Sequence, residues 1–473
     1  MRNQRNRYWL LPVALLAFGA ACDSTLNVQP IEEIADEDAI VDAVSAQSAL
    51  AGAYDALQDD DYYANGYFAV SEVSTDNMDH SGTFTEYGEA DDNLLTADNF
   101  HVFGYWEAAY AGINRANILI QRVPSVPGLS DAEKNQMIGE AYFLRALHYH
   151  NLVKAYAGVP LRLAPAASLD EASDISRASI AEVYAQILAD LTQAENLMTV
   201  TRQSYAGSDG AARALRARVL LYEASAGPTG RNTGGWAAVE AEASAVINTP
   251  GYALASSYSS LFGSSTTSED IFRVRFTDQD ANSVSFYYSV RSLGGRYEVR
   301  PTSDIRLAFP AGDVRGPWSV KNDPTRTPAN PRYYASKFPV VAGTDHPHVI
   351  RLAEIYLIRA EARARQGVNL AGAVDDYNQL RVRAGLAPHV FGVDVIDQAG
   401  VLAAIENERR LELAFEGDRW FDLVRSGRVF AVMTAHQGAP FPVHQALYPI
   451  PQQEIDVTRD ASGNPRLVQN DGY

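Results

Sequence analysis

The densest cluster of ionisable side chains lies between positions 408 and 422. It consists of Glu408, Arg409, Arg410, Glu412, Glu416, Asp418, Arg419 and Asp422. Two carboxylates held in a cleft could act as general acid and base in glycoside hydrolysis. Residues three or four positions apart on a helix are neighbours, however, so the same charges can form ion pairs. Because apolar residues share the segment, we interpret the cluster as buried pairs, with Arg409 bound to Glu412 or Glu416, and predict no catalytic residue.

The histidines do not form a metal-binding pattern. His148 and His150 are two positions apart and point in different directions on a helix, while His346 and His348 have no third ligand nearby. The acidic run 59–61 lacks the spaced ligands of a calcium loop. The chain contains no G-x-S-x-G, Walker or dinucleotide-binding motif. We therefore expect neither a metal nor a cofactor.

Two irregular segments mix aromatic and polar side chains in the way that a sugar-binding site requires. A sugar ring presents apolar faces edged with hydroxyl groups, so it needs flat aromatic surfaces beside Asn, Asp, Gln or Arg. We predict ligand contacts from Asp76, Asn77, Tyr87 and Asn99 in the first segment and from Tyr287, Tyr288, Arg296, Tyr297 and Trp318 in the second. The alternative interpretation of each aromatic residue is packing within a loop.

The elements that position these segments are mostly helices. Apolar residues recur at helical spacing over about 39–58, 105–250 and 349–425, and the short breaks inside these stretches predict helix pairs. Capping boxes, in which a serine precedes a glutamate by three positions, mark helix starts at Ser130 and Ser179. The predicted fold is therefore mostly α, with tetratricopeptide-like helix pairs forming a scaffold.

Helical periodicity is absent from two stretches. We interpret 59–103 as long loops, and about 256–342 as a loop-rich region with a few short strands, one of them near Ile271 to Phe276. Loops of that length in a compact protein are usually functional or disordered. We predict that they form a large loop-rich region beside the helical scaffold.

The composition limits the class of partner. The 473 residues are 47% apolar and carry a formal net charge of −19 at pH 7. Nucleic acid is therefore not expected as a partner, because phosphate contacts require clustered Lys and Arg. The length allows one large domain or two or three ordinary ones, and the apolar content is enough for a large core.

The amino terminus has the pattern of a secretory signal. Three arginines precede an apolar run from Trp9 to Phe18, and small residues lead to the single cysteine, Cys22. This predicts a signal peptide over 1–21, lipidation of Cys22 as in a bacterial lipobox, and a polar tether over 22–38. Gly19 stands where a lipobox usually has Leu, so cleavage nearby without lipidation remains an alternative.

Several separated segments resemble the SusD/RagB family, in the same order along the chain. They are Ala51 to Leu57, Tyr110 to Asn117, Glu140 to Leu147 with Gly158 to Leu161, Arg351 to Ala362, Glu408 to Leu423, Tyr448 to Gln452 and Gln469 to Tyr473. The Glu408 to Leu423 segment is the most specific of these. Together they extend over nearly the whole chain that follows the predicted signal peptide, so the resemblance implies a single domain over 39–473.

The resemblance implies a non-catalytic, lipid-anchored protein of the bacterial outer membrane, exposed at the cell surface. It further implies a SusC-like TonB-dependent transporter as partner and an oligosaccharide, less often a peptide, as ligand. Ligand residues in this family lie in the loops after the first helix and in the middle irregular region. The two aromatic segments described above match those places by location and not by motif.

Two other functions compete with ligand capture. One is a secreted helical-repeat scaffold that binds proteins through a concave face. The other is a glycoside hydrolase, which needs two carboxylates about 5–10 Å apart in a cleft. A flat loop side with few aromatic residues would favour the scaffold, and two carboxylates at that distance in a cleft would favour the hydrolase.

Overall fold

The computed structural model describes residues 40–165, 175–263 and 265–473. The predicted signal peptide, Cys22 and the tether lie outside the described residues. Within those ranges, no helix has both the length and the apolar character needed to cross a membrane.

Helices make up most of the described chain. In chain order they are α1 Ala43–Asp55, α2 Gly66–Val73, α3 Thr85–Asp91, α4 Phe100–Arg122, α5 Asp131–Tyr156, α6 Ile180–Leu197, α7 Asp209–Ala224, α8 Trp236–Ile247, α9 Val284–Tyr288, α10 Ser303–Ala308, α11 Arg315–Ser319, α12 Leu352–Gln366, α13 Leu370–Arg383, α14 Gln398–Glu412, α15 Arg419–Ser426, α16 Val429–Gln437 and α17 Gln452–Val457. The prediction of a mostly α protein is confirmed.

The long helices stack in sequence. Helix α4 packs on α5, α5 on α6, α6 on α7 and α7 on α8, and α8 packs on α12, which in turn contacts α13 and α14. Each helix thus lies between two neighbours, as in a tetratricopeptide-like scaffold. Both predicted capping boxes are present at the starts of α5 and α6, where Ser130 and Ser179 accept the N–H of the glutamate three positions later.

Short antiparallel strand pairs join distant parts of the chain. They are β1 Met78–His80 with β3 Val299–Pro301, β2 Asp270–Arg273 with β6 His348–Arg351, and β4 Val320–Asn322 with β5 Tyr333–Ala335. In the first pair, Asp79 is directly opposite Arg300. This pair ties the segment after α1 to the middle of the chain, so the two predicted loop regions meet.

The prediction of long loops over 59–103 is wrong. That stretch contains α2, β1 and α3, and α4 already begins at Phe100. Every residue of α2 is buried, so this helix has no polar face and therefore no amphipathic period to detect. Helix α14 ends at Glu412 and α15 begins at Arg419, because the backbone between them turns through left-handed conformations at Phe415 and Gly417.

The main hydrophobic core is a single cluster of buried side chains, with members from Ile40 to Leu467 and from most of the helices. A second cluster lies beneath α12, α13 and α14. The irregular middle region contributes Phe272, Val299 and Phe338 to the main core. The loop side is therefore anchored to the helical scaffold and holds its surface residues in fixed positions.

Candidate ligand-binding cleft

The charged cluster at 408–422 is a buried ion-pair network. The Arg351 guanidinium donates to Glu269 at 3.0 Å, to Glu412 at 2.6 Å and to both carboxylate oxygens of Glu416 at 2.9 Å. Lys337 also donates to Glu416, at 2.8 Å. Burial alone would raise the pKa of Glu416, but Arg351 and Lys337 outweigh it and hold the pKa at about 2. The interpretation of this cluster as buried ion pairs is confirmed.

The individual partners differ from the predicted ones. Arg409 pairs with Glu354 at 3.2 Å and with Asp422 at 2.5 Å, and not with Glu412 or Glu416. The Glu412 carboxylate is bound instead by Arg315, Arg351 and Arg383, and Glu416 lies beyond the end of α14 and so is not on the same helix as Arg409. Across residues 40–165, 175–263 and 265–473, no three His, Cys, Asp or Glu side chains form a group that could hold a metal ion.

Asp76 and Asn77, two of the predicted ligand residues, are buried polar partners of the same region. Both carboxylate oxygens of Asp76 accept from Arg419, at 2.9 and 3.0 Å, and Asn77 accepts from Arg410 at 2.9 Å. Burial would raise the pKa of Asp76, but Arg419 and Arg410 lower it below its usual range. With their polar atoms engaged inside the protein, neither residue fits the predicted ligand contact.

Three further predicted ligand residues are enclosed in the protein. Tyr87 is fully buried and its hydroxyl accepts from Asn65 at 2.6 Å. The Asn99 side chain caps α4 by accepting the N–H groups of His101 and Val102. Tyr288 is a core residue with no exposed surface. We leave these three out of the candidate site because a ligand cannot reach them.

The other four predicted residues are partly exposed, and the structure brings two of them together. Arg296 and Tyr297 line one cleft. Tyr287 packs beside Phe84, with ring centres 5.7 Å apart, and is not among the residues lining the cleft. Trp318 also lies outside the cleft lining, where Lys321 sits 4.8 Å above its ring.

The cleft lies where β1, β3 and the β4–β5 hairpin meet. It has a volume of about 730 Å³, within the range of small-ligand sites. The described residues that line it are Asp79, Ser81, Gly82, Thr83, Arg291, Arg296, Tyr297, Arg300, Pro301, Ser303, Arg306, Pro331, Arg332 and Tyr333. The β1–β3 pairing creates this cleft, because it places 79–83 beside 296–301.

Glu298 fixes the wall of the cleft from behind. Its side chain is 1% exposed and accepts from Arg296 at 2.6 Å and from the N–H groups of Thr83 and Phe84 at 2.7 and 3.1 Å. Burial would raise its pKa, but these donors lower it. A Cβ at Gly82 would lie 1.9 Å from Glu298, so only glycine allows this close approach.

Two tyrosines and two arginines form stacked pairs at the cleft. The Arg306 guanidinium carbon lies 4.3 Å from the ring centre of Tyr333, and that of Arg332 lies 5.6 Å from the ring centre of Tyr297. The Tyr297 hydroxyl donates to the Tyr333 carbonyl at 3.0 Å. Tyr297 has φ +61°, a left-handed conformation that is uncommon for a tyrosine and is often found at functional sites.

Most of the cleft residues were not predicted from the sequence. Asp79, Arg300, Arg306, Arg332 and Tyr333 become neighbours only through the strand pairings. One sequence signal was available: positions 291–332 contain seven arginines and one lysine against four acidic residues, in a chain of net charge −19. This local reversal of charge identifies the region without any motif.

Comparison with known proteins gives two matching sequence families. The profile of the SusD family matches residues 330–473, and a profile described as starch-binding, associating with the outer membrane, matches residues 23–221. The SusD-like protein P38 of Formosa agariphila is 27% identical, with 96% of each chain covered. The starch-binding protein SusD of Bacteroides thetaiotaomicron is 36% identical over 138 residues, which is 28% of this chain and 22% of that protein.

Solved structures have the same fold. A SusD superfamily protein from Bacteroides vulgatus superposes with a TM-score of 0.79 at 21% identity, covering 91% of this chain and 99% of that one. A laminarin-binding SusD-like protein superposes with a TM-score of 0.76 at 25% identity, covering 92% and 100%. The surface glycan-binding protein A from Bacteroides fluxus gives 0.74 at 22% identity, covering 92% and 100%.

Proposed function

The chain belongs to the SusD/RagB family, and from this premise we propose that it is a cell-surface glycan-binding protein that captures a glycan for import and catalyses nothing. The observation that carries the proposal is the cleft between the β1–β3 pair and the β4–β5 hairpin. It offers partly exposed aromatic rings beside hydrogen-bond donors, the combination that sugar recognition uses. Relatives of the same fold include proteins named as laminarin-binding and surface glycan-binding.

The distribution of carboxylates favours binding over hydrolysis. A glycoside hydrolase needs two carboxyl groups flanking the bond that breaks. The described lining of the cleft contains one, Asp79, and it pairs with Arg300 at 3.2 Å. The dense acidic cluster at 408–422 is occupied in structural ion pairs. A protein-binding scaffold is less well supported, because the loop side carries a concave cleft with two tyrosines, Tyr297 and Tyr333, in its lining.

Delivery is the second part of the proposal. We propose that a lipid on Cys22 anchors the chain to the outer membrane and that a SusC-like TonB-dependent transporter receives the glycan. The support is the family, together with the secretory pattern of residues 1–21. Peptide capture is the less favoured version of the same function.

Glycan binding is tested with the purified protein by affinity electrophoresis and calorimetry against a panel of soluble polysaccharides. Tyr297→Ala should weaken binding of the best ligand by about three- to tenfold, the usual contribution of one aromatic contact. Tyr356→Ala is the matched control, since Tyr356 also lies under a guanidinium, with Arg359 at 5.5 Å, but outside the cleft lining. Equal effects of the two variants, or no binding to any glycan, would contradict the proposal.

The transporter partnership is tested by capturing the tagged full-length protein from detergent-solubilised outer membranes. A TonB-dependent barrel should copurify in stoichiometric amount. Absence of any such barrel, from cells grown on a glycan that the protein binds, would show that delivery is assigned to the wrong partner.

A further inference from the structure

The cleft is positively charged although the chain is strongly acidic. Its lining contains one acidic residue, Asp79, and five arginines, whereas the whole chain carries a net charge of −19. The arginines are Arg291, Arg296, Arg300, Arg306 and Arg332. A concave surface lined by one sign of charge concentrates ligands of the opposite sign. In salt at about 0.1–0.15 M, exposed charges more than about 8–10 Å away are largely screened. The potential inside the cleft is therefore dominated by the charges that line and adjoin it, which are five arginines against Asp79 and the buried Glu298.

Three of these arginines form no ion pair within the described part of the chain. Arg296 is bound to Glu298 and Arg300 to Asp79, whereas Arg291, Arg306 and Arg332 have no carboxylate partner there. This contrasts with the scaffold, where buried arginines such as Arg351 contact several carboxylates each. The cleft thus keeps a surplus of positive charge for a ligand.

Aromatic rings, in place of carboxylates, hold two of the unpaired guanidinium groups. Arg306 stacks on Tyr333 and Arg332 on Tyr297. A guanidinium stacked on a ring keeps its N–H donors at the edge, where two of them can donate to one carboxylate or sulfate group. Stacking also limits the side chain's rotamers, so less conformational entropy is lost when a ligand binds.

Most of the positive charge of the cleft comes from the part of the chain between the two family matches. Residues 222–329 lie between the matched ranges 23–221 and 330–473, and they contain Arg291, Arg296, Arg300 and Arg306. Four of the five cleft arginines therefore lie outside the two matched ranges, and the fifth, Arg332, lies inside the second one.

We propose that the ligand is an anionic glycan, a polysaccharide that carries carboxylate or sulfate ester groups. The assignment to a glycan rests on the proposed function, and the charge of the cleft supplies the anionic character. A neutral glycan offers the three unpaired guanidinium groups only hydroxyl and ring oxygens as acceptors. A carboxylate or sulfate on the sugar accepts stronger, charge-assisted hydrogen bonds from the same groups.

The test compares glycans that share a backbone and differ in charge, using the full chain purified in detergent. Calorimetry measures polygalacturonate against its fully methyl-esterified form, and dextran sulfate against dextran. The anionic member of at least one pair should bind at least about tenfold more tightly than its neutral partner. Which pair shows the difference distinguishes carboxylate from sulfate recognition. Raising NaCl from about 50 to 500 mM should weaken the tighter binding.

Variants connect the effect to the cleft. Arg306→Gln and Arg332→Gln should each weaken binding of the anionic glycan about tenfold and reduce its salt dependence. Arg275→Gln is the matched control: Arg275 is exposed, lies 6.0 Å from the Tyr205 ring centre and is not among the residues lining the cleft. It should change affinity less than about twofold. Circular dichroism and thermal unfolding verify that all three variants are folded.

The possible failures are distinguishable. If neutral and anionic partners bind equally and the arginine variants have no effect, the anionic assignment is overturned while glycan capture stands. If polyglutamate binds and every glycan fails, the ligand is an acidic peptide and the glycan assignment is overturned. If no glycan of the wider panel binds and no transporter copurifies, the proposed function itself is overturned.

Discussion

Replacing Arg351 with methionine tests whether the buried ion-pair network holds the scaffold together. The guanidinium makes charge-assisted hydrogen bonds to Glu269, Glu412 and Glu416 and a further bond to the Glu412 carbonyl at 2.8 Å. It is 1% exposed. Methionine fills a similar volume and removes only the charge and the donors.

The expected loss follows from what the partners retain. Glu412 keeps Arg383 and Arg315, Glu416 keeps Lys337, and Glu269 keeps Arg383. Each of the three carboxylates therefore loses one cationic partner and keeps at least one other. For this reason we take the usual free-energy cost of breaking one buried ion pair and do not add up all the contacts of Arg351. We expect the free energy of unfolding to fall by about 3–5 kcal/mol.

The assay is urea unfolding followed by circular dichroism, with Arg428→Met as the control. Arg428 pairs with Glu406 at 3.0 Å but is 52% exposed, so its loss should cost less than about 1 kcal/mol. The pH dependence adds a second measurement. The pKa of Glu416 is about 2 when folded and 4.5 when unfolded, so its contribution is present above pH 4.5 and is lost as the pH falls towards 2. The difference between wild type and Arg351→Met should shrink over that window.

Two results would refute the reasoning. One is a loss no larger than that of the Arg428→Met control. The other is a full loss that stays constant from pH 7 down to pH 3, which would point to altered packing and not to missing charge.

Three further changes have defined outcomes. Gly52→Ala should raise the free energy of unfolding by about 0.5–1 kcal/mol, because nothing lies within 4 Å of the new Cβ. Gly112→Ala should lower it by about 1–3 kcal/mol, because the new Cβ would lie 2.1 Å from His148. Equal effects of the two variants in urea unfolding would contradict this expectation. Burial raises the pKa of Glu72 from 4.5 to about 7, so the free energy of unfolding of the wild type falls as the pH rises between these values. The free energy of unfolding of Glu72→Gln should therefore rise by about 3 kcal/mol relative to wild type between pH 4.5 and 8. Parallel pH profiles of the two proteins would exclude this. Cys22→Ser should move the protein from the membrane to the soluble fraction of fractionated cells, and a variant still bound to membranes would show that the anchor is elsewhere.

Local signals in the sequence predicted the scaffold well. The capping boxes at Ser130 and Ser179 depend on residues three positions apart, so a short window contains all the information needed. Helix α2 escaped prediction because it is buried on every side, and its sequence therefore has no alternation between polar and apolar faces.

The site was harder to predict because its geometry depends on long-range pairing. The prediction that Asp76 contacts a ligand rests on its place in a segment that mixes aromatic and polar side chains. Its actual partner, Arg419, is 343 positions away, and no local pattern indicates that pairing. In the same way Arg306 joins the cleft only because β3 lies beside both β1 and β5.

The β1–β3 pair also determines when the cleft can exist. Arg300 and Asp79, which face each other across it, are 221 positions apart, and Tyr333 follows later still. Contacts of such long sequence separation form late, because the loop between them must first be closed. A nascent or truncated chain that ends before Tyr333 therefore lacks part of the cleft, and ligand binding can serve as a reporter that β1, β3 and β5 have come together.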